Sequence, residues 1–167
     1  MNKLNKIGLG GGCHWCTEAV FQSLKGVEKV EQGYVASTNK NVWFSEAVIV
    51  HFNASIISLE TLIEIHLYTH KSASAHSMRN KYRSAIYTFA NVQFNTANSI
   101  LDKLKIKIDK NIITKVYAFS EFRESREEIQ NYYVKDPEKP FCKRFISPKL
   151  DLLLEKFSDK VNRDFIK

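Results

Sequence analysis

The sequence feature that most constrains this chain is a run of three glycines. It follows an apolar run and precedes an amphipathic run that begins with two cysteines three positions apart. Residues 10–12 are glycines; residues 7–9 before them predict the end of a β-strand, and residues 13–24 after them predict an α-helix. Cys13 therefore stands at a helix N-terminus, where unpaired N–H groups and the positive dipole end stabilise a thiolate. The glycines allow a sharp turn and leave room for a ligand beside the main chain. We expect a reactive thiol at this turn.

The length of the chain is typical of one domain, spanning residues 1–167, and its positive charges are not clustered. The net charge of +7 is spread, with nine Lys and Arg against six Asp and Glu up to residue 90, and sixteen against twelve after it. An even spread favours a general solubility charge over a nucleic-acid surface.

Targeting signals are not evident in the sequence. No apolar run approaches the roughly 18–20 residues that a membrane-spanning helix needs. The basic start, residues 1–6, is followed by only three residues before the glycines, which is too short for a signal-peptide core. We therefore expect a cytoplasmic monomer that binds neither nucleic acid nor a membrane.

Hydrophobic periodicity predicts an α+β chain. Strands are predicted at 6–10, 27–37, 45–53, 84–89 and 115–122, and helices at 13–24, from Ser58, at 91–105, at 124–134 and from Ser147. Gly33 is interpreted as a β-bulge, and Val92 is assigned to the buried face of helix 91–105. This order predicts a ferredoxin-like two-layer sandwich, a mixed sheet with helices packed on it.

The spacing of Cys13 and Cys16 is compatible with three roles. The two thiols form a dithiol redox pair, or half of a zinc site completed by Cys142 and a histidine, or ordinary helix packing. A structural zinc site usually shows a second close-spaced pair, and none is visible here. Thioredoxin-like proteins also place this motif at a helix start, but after a longer βαβ unit. Spacing alone leaves the three roles open and favours the redox pair.

Four further residues have side chains suited to a thiol site. Trp15 lies beside the thiol, and a sulfur–aromatic contact contributes about 0.3–1.5 kcal/mol. Glu46 opens a hydrophobic strand, where a desolvated carboxyl is held protonated and ready to donate. Tyr34 and Tyr82 each offer a hydroxyl to a polar substrate atom. Ordinary packing or surface exposure remains the alternative for all four.

Residues 12–18, Gly-Cys-His-Trp-Cys-Thr-Glu, resemble the nucleophile motif of the A-type peptide methionine sulfoxide reductases. Further segments resemble this family in the same order, over about residues 6–157: 30–34, 45–48, 82–87 and 130–142. An ordered set is far more specific than any single motif. The resemblance implies one reductase-like domain over residues 1–167.

The resemblance also implies a mechanism that needs no cofactor or metal. Cys13 would attack the sulfur of a methionine S-sulfoxide, free or in protein, while Glu46 donates a proton with help from Tyr34 and Tyr82. Trp15 would hold the S-methyl group. Cys13 would become a sulfenic acid, and a second thiol would condense with it before thioredoxin reduces the disulfide. The second thiol is Cys16, which is adjacent, or Cys142, which lies in a segment resembling the family's recycling tail; Cys16 is preferred because residues 141–142 lead straight into a well-patterned final helix.

The sequence departs from the family pattern at two expected substrate-binding positions. The usual Phe of the motif is His14, and the usual Asp before the Tyr-Arg-Ser strand is Ser77. An active enzyme with altered substrate preference or rate is therefore expected. Two other classes compete with it, a protein disulfide oxidoreductase that uses Cys13 and Cys16, and a non-catalytic relative that binds oxidised methionine or senses peroxide.

Overall fold

A computed structural model describes residues 4–167, so the first three residues of the basic start lie outside it. The described chain alternates strands and helices around one sheet. The elements are β1 Asn5–Gly10, α1 His14–Gln22, β2 Val27–Ala36, β3 Ser45–Phe52, α2 Leu59–Thr69, β4 Ala85–Thr88, α3 Asn91–Ile108, β5 Lys115–Ala118, β6 Glu121–Glu124, α4 Tyr132–Lys135 and α5 Ser147–Lys156. A π-helical turn, Cys142–Ile146, leads directly into α5.

The six strands form one mixed sheet in the order β5-β4-β1-β3-β2-β6. Every neighbouring pair is antiparallel except β4 and β5, which are parallel. The α+β prediction of a mixed sheet with packed helices is confirmed. Among residues 4–167, no helix is long and apolar enough to cross a membrane.

The two faces of the sheet carry cores of different size. Because side chains alternate along a strand, Val48 and Val50 face the helices while Ala47 and Ile49 face the other side. The helix-side core is the larger one, and α1, α2, α3 and α5 all contribute to it. Each fully buried aliphatic side chain there contributes about 1.5–3 kcal/mol to stability. The predicted cap of α2 is also found, since the Ser58 hydroxyl accepts from the Thr61 N–H at 3.1 Å.

The prediction of one strand over residues 115–122 is wrong. The segment divides into β5 and β6, which lie on opposite edges of the sheet. The chain crosses between the edges at Phe119 and Ser120, whose N–H groups donate to Thr88 O on β4 and Ala36 O on β2. Adjacent residues bond to the two outer regions of the sheet, so the sheet curls strongly at this end.

The prediction of a helix over residues 124–134 is also wrong. Only a 3₁₀ turn, Glu127–Ile129, and the four-residue α4 form there. Asn131 interrupts the segment with a φ of 56°, a left-handed conformation that Asn adopts more readily than most residues. Its N–H donates to the buried Glu18 carboxylate. Two smaller assignments fail as well. The irregularity of β2 lies between Val27 and Lys29 and not at Gly33, and Val92 is 78% exposed.

The buried side chain of His66 joins α2 to the end of β1. Its Nε2–H donates to Gly10 O at 2.7 Å, and its Nδ1 has no partner among the described residues. Burial lowers the pKa of His66 to about 4. The folded protein therefore keeps this ring neutral at pH values where an unfolded chain would protonate it.

The stability of the protein should consequently fall on acidification. Between pH 6.5, the ordinary histidine pKa, and about pH 4, His66 is protonated in the unfolded chain and neutral in the folded protein. The His66 contribution to the free energy of unfolding should fall by up to about 3 kcal/mol across this window. Urea unfolding at pH 7.5 and 4.5 measures the loss. His66→Gln keeps an N–H donor for Gly10 but cannot titrate, so its loss should be smaller by that amount, and an equal loss would contradict this account.

Candidate active site

The cysteine turn lies where β1 hands over to α1. Cys13 is the N-cap residue of α1, and its carbonyl accepts from the N–H groups of Cys16 and Thr17 at 3.1 and 3.2 Å. Its side chain is only partly buried. The thiol therefore stands at the opening turn of the helix, with the orphan N–H groups of that turn around it.

Two of the three glycines before Cys13, Gly10 and Gly11, make room for the protein's own atoms. Gly11 has a φ of +150°, and a Cβ there would lie 2.4 Å from the His70 ring. A Cβ on Gly10 would lie 2.8 Å from Glu46 O. The Arg79 guanidinium donates to Gly11 O at 2.7 Å. The turn is thus held from several sides at Gly10 and Gly11, whereas a Cβ on Gly12 would meet only the His70 Cβ, at 4.0 Å, so the expected space beside the main chain is present at Gly12 alone of the three.

The pKa of the Cys13 thiol is lowered. The first cause is a hydrogen bond that the Cys16 thiol donates to the Cys13 sulfur, and the N–H groups of Trp15 and Cys16 act in the same direction. Burial and the nearby Glu46 carboxylate oppose them. The same contact, together with burial, raises the pKa of Cys16. The pair therefore divides its roles, with Cys13 favoured as thiolate and Cys16 held as the neutral donor.

A pocket of about 490 Å³ opens over Cys13. It brings together six of the residues singled out from the sequence: Cys13, His14, Trp15, Tyr34, Glu46 and Tyr82. The β-sheet register explains this convergence, since Gly10 pairs with Ala47 and Tyr34 pairs with Glu46. Ser77 is not brought to the pocket; it lies exposed in the turn before Tyr82. Its expected substrate-binding role therefore has no geometric support.

Glu46 lies buried at the N-terminus of α1, with 7% of its surface exposed. Its Oε1 accepts from the His14 backbone N–H at 3.2 Å and lies 3.4 Å from His14 Nε2. Its Oε2 lies 3.6 Å from Lys81 Nζ. The Glu46 carboxyl thus shares the helix N-terminus with the Cys13 thiol, and both groups line one pocket.

Three aromatic rings form one wall of the site. Trp15 stacks on Tyr132 with ring centroids 4.2 Å apart, and its edge meets Phe141 at 5.1 Å. Trp15 and Phe141 line the pocket. Such a wall binds an apolar, sulfur-bearing group through dispersion and sulfur–aromatic contacts.

Glu18 holds this wall in place, a role that sequence reasoning missed. It is 2% exposed, and its carboxylate accepts from Asn131 N and Tyr132 N at 3.0 and 3.2 Å and from Gln32 Nε2 at 3.0 Å. Burial raises its pKa, and these hydrogen bonds oppose the rise. Glu18 is the last residue of the nucleophile motif, but the two N–H groups it binds lie more than a hundred residues away, so no local signal reveals them.

The sequence reasoning missed further residues that line the pocket. Lys81 contributes the cation nearest Glu46, Phe44 carries the Arg123 guanidinium 4.0 Å above its ring, and Arg126 adds a second positive charge. All three lie outside the helices and strands, where hydrophobic periodicity carries no information. Lys81 and Arg126 thus form a cationic rim on the pocket that contains the Cys13 thiol and the Glu46 carboxyl.

The three cysteines are free, and two of them lie beneath the pocket. Cys16 and Cys142 are 6% and 0% exposed. Cys16 contacts Cys13 directly, whereas the Cys142 thiol faces Asp136 O at 3.5 Å. Within residues 4–167, no group of three or more His, Cys, Asp or Glu side chains is arranged to hold a metal ion, so geometry gives the zinc interpretation no support.

Comparisons with known proteins agree on one family. A family model described as peptide methionine sulfoxide reductase matches residues 5–161. The chain is 34% identical to the peptide methionine sulfoxide reductase MsrA of Psychrobacter sp. (strain PRwf-1), over 92% of this chain and 97% of that protein. Its fold resembles the crystal structure of Mxr1 from Saccharomyces cerevisiae in reduced form, with a TM-score of 0.72, 21% identity and coverage of 84% and 90% of the two chains. Mxr1 in complex with Trx2 matches with a TM-score of 0.62, 21% identity and coverage of 78% and 85%.

Replacing Cys16 should change the reactivity of Cys13. Cys16→Ala removes the hydrogen bond to the Cys13 sulfur, so the pKa of Cys13 should rise and its alkylation at pH 7 should slow about tenfold or more, since a hydrogen bond to a charged group is worth about 1.5–3 kcal/mol. The rate of iodoacetamide modification against pH, followed by peptide mass spectrometry, measures this. Cys16→Ser keeps a donor and should lie close to wild type. Equal effects of Ala and Ser would show that the hydrogen bond is not the cause.

Proposed function

The chain belongs to the peptide methionine sulfoxide reductase family, and we propose that Cys13 is the nucleophile with which this enzyme reduces methionine sulfoxide to methionine. One observation carries the assignment. The Cys13 thiol, whose pKa is lowered, and the buried Glu46 carboxyl line the same pocket. The two come from distant parts of the chain, since His14, the neighbour of Cys13, is 32 residues from Glu46. A nucleophile and a proton donor on one pocket are the two groups that sulfoxide reduction needs.

The first step transfers oxygen from the substrate to the enzyme. The Cys13 thiolate attacks the sulfoxide sulfur while Glu46 supplies a proton to the sulfoxide oxygen. The attack forms a bond between the two sulfurs. The protonated oxygen then passes from the substrate sulfur to the Cys13 sulfur, so that the substrate sulfur–oxygen bond breaks. The sulfur–sulfur bond breaks with its electron pair returning to the substrate sulfur, methionine leaves, and Cys13 remains as a sulfenic acid. The substrate sulfur gains two electrons and the Cys13 sulfur loses two, so no cofactor enters the balance.

The pocket walls would orient the substrate. The wall of Trp15 and Phe141 suits the S-methyl group, and the opposite side, with Tyr34 and Tyr82, suits the polar oxygen. We assign the S epimer of the sulfoxide to this arrangement, for methionine either free or in oxidised protein. The edge of the His14 ring meets Tyr34 with centroids 5.1 Å apart, so the residue that departs from the family motif lies on the polar side.

Cys16 would resolve the sulfenic acid. Its thiol already contacts the Cys13 sulfur, so condensation to a disulfide with release of water needs little movement. Cys142 is fully buried and its pKa is raised by burial, which makes it the less accessible candidate. We therefore place the disulfide between Cys13 and Cys16.

A thioredoxin would then reduce this disulfide. The structure of Mxr1 with Trx2 supports such a reductant for the family, and the free thiols of this chain are compatible with a reducing compartment. We further propose that the protein works as a cytoplasmic monomer. Size-exclusion chromatography with light scattering tests the oligomeric state.

The activity should depend on Cys13 and Glu46. Purified protein with dithiothreitol should convert methionine S-sulfoxide and not the R epimer to methionine, measured by chromatography of the products. Cys13→Ser should abolish turnover. Glu46→Gln should lower kcat/KM by about a hundredfold or more, because a general acid contributes roughly 10²–10⁴.

Ser77→Ala serves as the control for these variants, since Ser77 lies outside the pocket and its loss should leave kcat/KM within about twofold of wild type. Reduction of insulin disulfides without any sulfoxide turnover would overturn the proposal and favour a disulfide oxidoreductase.

The two buried cysteines should differ in recycling. Cys16→Ser should still form one methionine per enzyme and then stop with thioredoxin, because the sulfenic acid has no partner; dimedone labelling and intact mass should detect that sulfenic acid. Cys142→Ser should recycle normally with thioredoxin. The reverse pattern would assign the resolving role to Cys142, and loss of recycling in both variants would indicate a relay through the two thiols.

A further inference from the structure

We propose that His14 and Glu46 form one proton-sharing pair and that this pair, rather than an isolated carboxyl, supplies the proton to the sulfoxide oxygen. The inference rests on the proposed function and concerns the residue at which the chain departs from its family motif. His14 acts here as a positioning residue, because it works through Glu46.

The orientation of the His14 ring is set by a carbonyl group. Its Nδ1 lies 2.8 Å from Gly33 O, and since a carbonyl only accepts, Nδ1 must carry a hydrogen. Nε2 of the neutral ring is then left with a lone pair. That nitrogen faces Glu46 Oε1 at 3.4 Å.

The surroundings favour a proton held between these two atoms. His14 and Glu46 are 3% and 7% exposed, so an imidazole nitrogen and a carboxyl have been removed from water together. Burying either group without a hydrogen-bonding partner is unfavourable. One proton between Oε1 and Nε2 satisfies both atoms, and its transfer from one to the other leaves the total charge of the pair unchanged.

The separation of 3.4 Å is long for a hydrogen bond. Catalytic contacts of this kind are often long in a free enzyme and shorten when substrate binds. The Glu46 carboxyl is already anchored close to the ring, because the same Oε1 accepts from the His14 backbone N–H at 3.2 Å.

The titratable groups around the pair act in opposite directions. Burial lowers the pKa of His14 first, the Glu46 charge raises it, and Lys81 lowers it. A neutral ring that accepts the carboxyl proton fits this balance. The remaining titratable and charged side chains that line the pocket are Cys13, Tyr34, Tyr82, Lys81 and Arg126. The two cations favour loss of the proton from the pair, and His14 Nε2 is the group that opposes this loss.

The proton step balances without an added reactant. As the Cys13 thiolate attacks the sulfoxide sulfur, the proton passes to the sulfoxide oxygen, and the pair remains as a Glu46 carboxylate beside a neutral His14. The products are methionine and the Cys13 sulfenic acid. The pair regains its proton from water before the next turnover.

Two substitutions of His14 separate proton sharing from simple wall packing. His14→Asn keeps a donor at the position of Nδ1 for Gly33 O but removes Nε2. His14→Phe keeps a ring of similar size but has no nitrogen. If His14 only packs the pocket wall, His14→Phe should match wild type.

The test measures kcat/KM for methionine S-sulfoxide against pH from 5 to 9.5, with dithiothreitol as the reductant. Both variants should lose activity at a lower pH than wild type on the alkaline side, with a fall of about tenfold or more at pH 8. The alkylation profile of Cys13 should move less than the alkaline limb of kcat/KM, because Glu46 acts on the thiol only through its charge; shifts of equal size would assign the effect to the nucleophile and overturn the inference. An unshifted alkaline limb in both variants would overturn the inference while leaving the proposed function intact.

A double-mutant cycle tests whether His14 acts through Glu46. In a Glu46→Gln background, His14→Asn should change kcat/KM by less than about twofold, because the proton that His14 helps to hold is gone. Equal losses in the two backgrounds would assign His14 an independent, structural role and overturn the inference.

A spectroscopic measurement tests the His14–Glu46 pair without relying on enzyme activity. Long-range ¹H–¹⁵N spectra of histidine-labelled protein, with His14→Phe for assignment, should show the Nδ1–H tautomer of His14, and Glu46→Gln should move its titration to lower pH. An Nε2–H tautomer, or a titration indifferent to Glu46, would contradict the pair. If the pair is observed but the wild type does not reduce methionine sulfoxide, the proposed function fails and the delivery of the proton fails with it.

Discussion

The pairing of β1 with β3 is the interaction on which the rest of this structure depends. Gly10 lies opposite Ala47, so the end of β1, which leads into Cys13, lies beside the start of β3, which carries Glu46. A shift of register by one residue would turn the side chains of β3 to the other face and move Glu46 away from α1. Cys13 and Glu46, the residues proposed as nucleophile and proton donor, are therefore neighbours because of a backbone ladder and not because of their own attraction.

A second layer of contacts holds the cysteine turn from beneath. His66, His70 and Arg79 meet the glycine turn at residues 10–11, and none of the three lines the pocket over Cys13. Each is buried or partly buried with hydrogen bonds to carbonyl or hydroxyl oxygens, and burial keeps the pKa of both histidines below its ordinary value. The turn is thus fixed by contacts from three side chains of the free protein, and a preorganised turn favours catalysis because little ordering remains to be done. Acid sensitivity of the fold is the consequence.

Sequence reasoning succeeded where short-range rules apply and failed where they do not. The turn at Cys13, the Ser58 cap and the alternation along β3 depend on residues close in the chain. The error over residues 124–134 arose because the buried Glu18 binds the N–H groups that a helix would have used. The error over residues 115–122 arose because sheet curvature brings both edges within reach of one short segment. A substrate-binding role for Ser77 was expected only from its position in the family motif, and the structure places this residue in an exposed turn outside the pocket.

The sequence by itself determined the order of strands and helices as far as residue 108, the thiol at a helix start and the set of residues with chemistry suited to it, because propensity, periodicity and a distinctive motif are local properties. Only the tertiary structure decided which of these residues meet. It placed the ring of His14, the residue that departs from the motif, next to Glu46, and it made Glu18 an anchor for the aromatic wall. It also buried both Cys16 and Cys142, with 6% and 0% of their surfaces exposed. These outcomes depend on contacts between positions tens of residues apart, and such contacts are set by strand register and packing rather than by the neighbours of each residue in the chain.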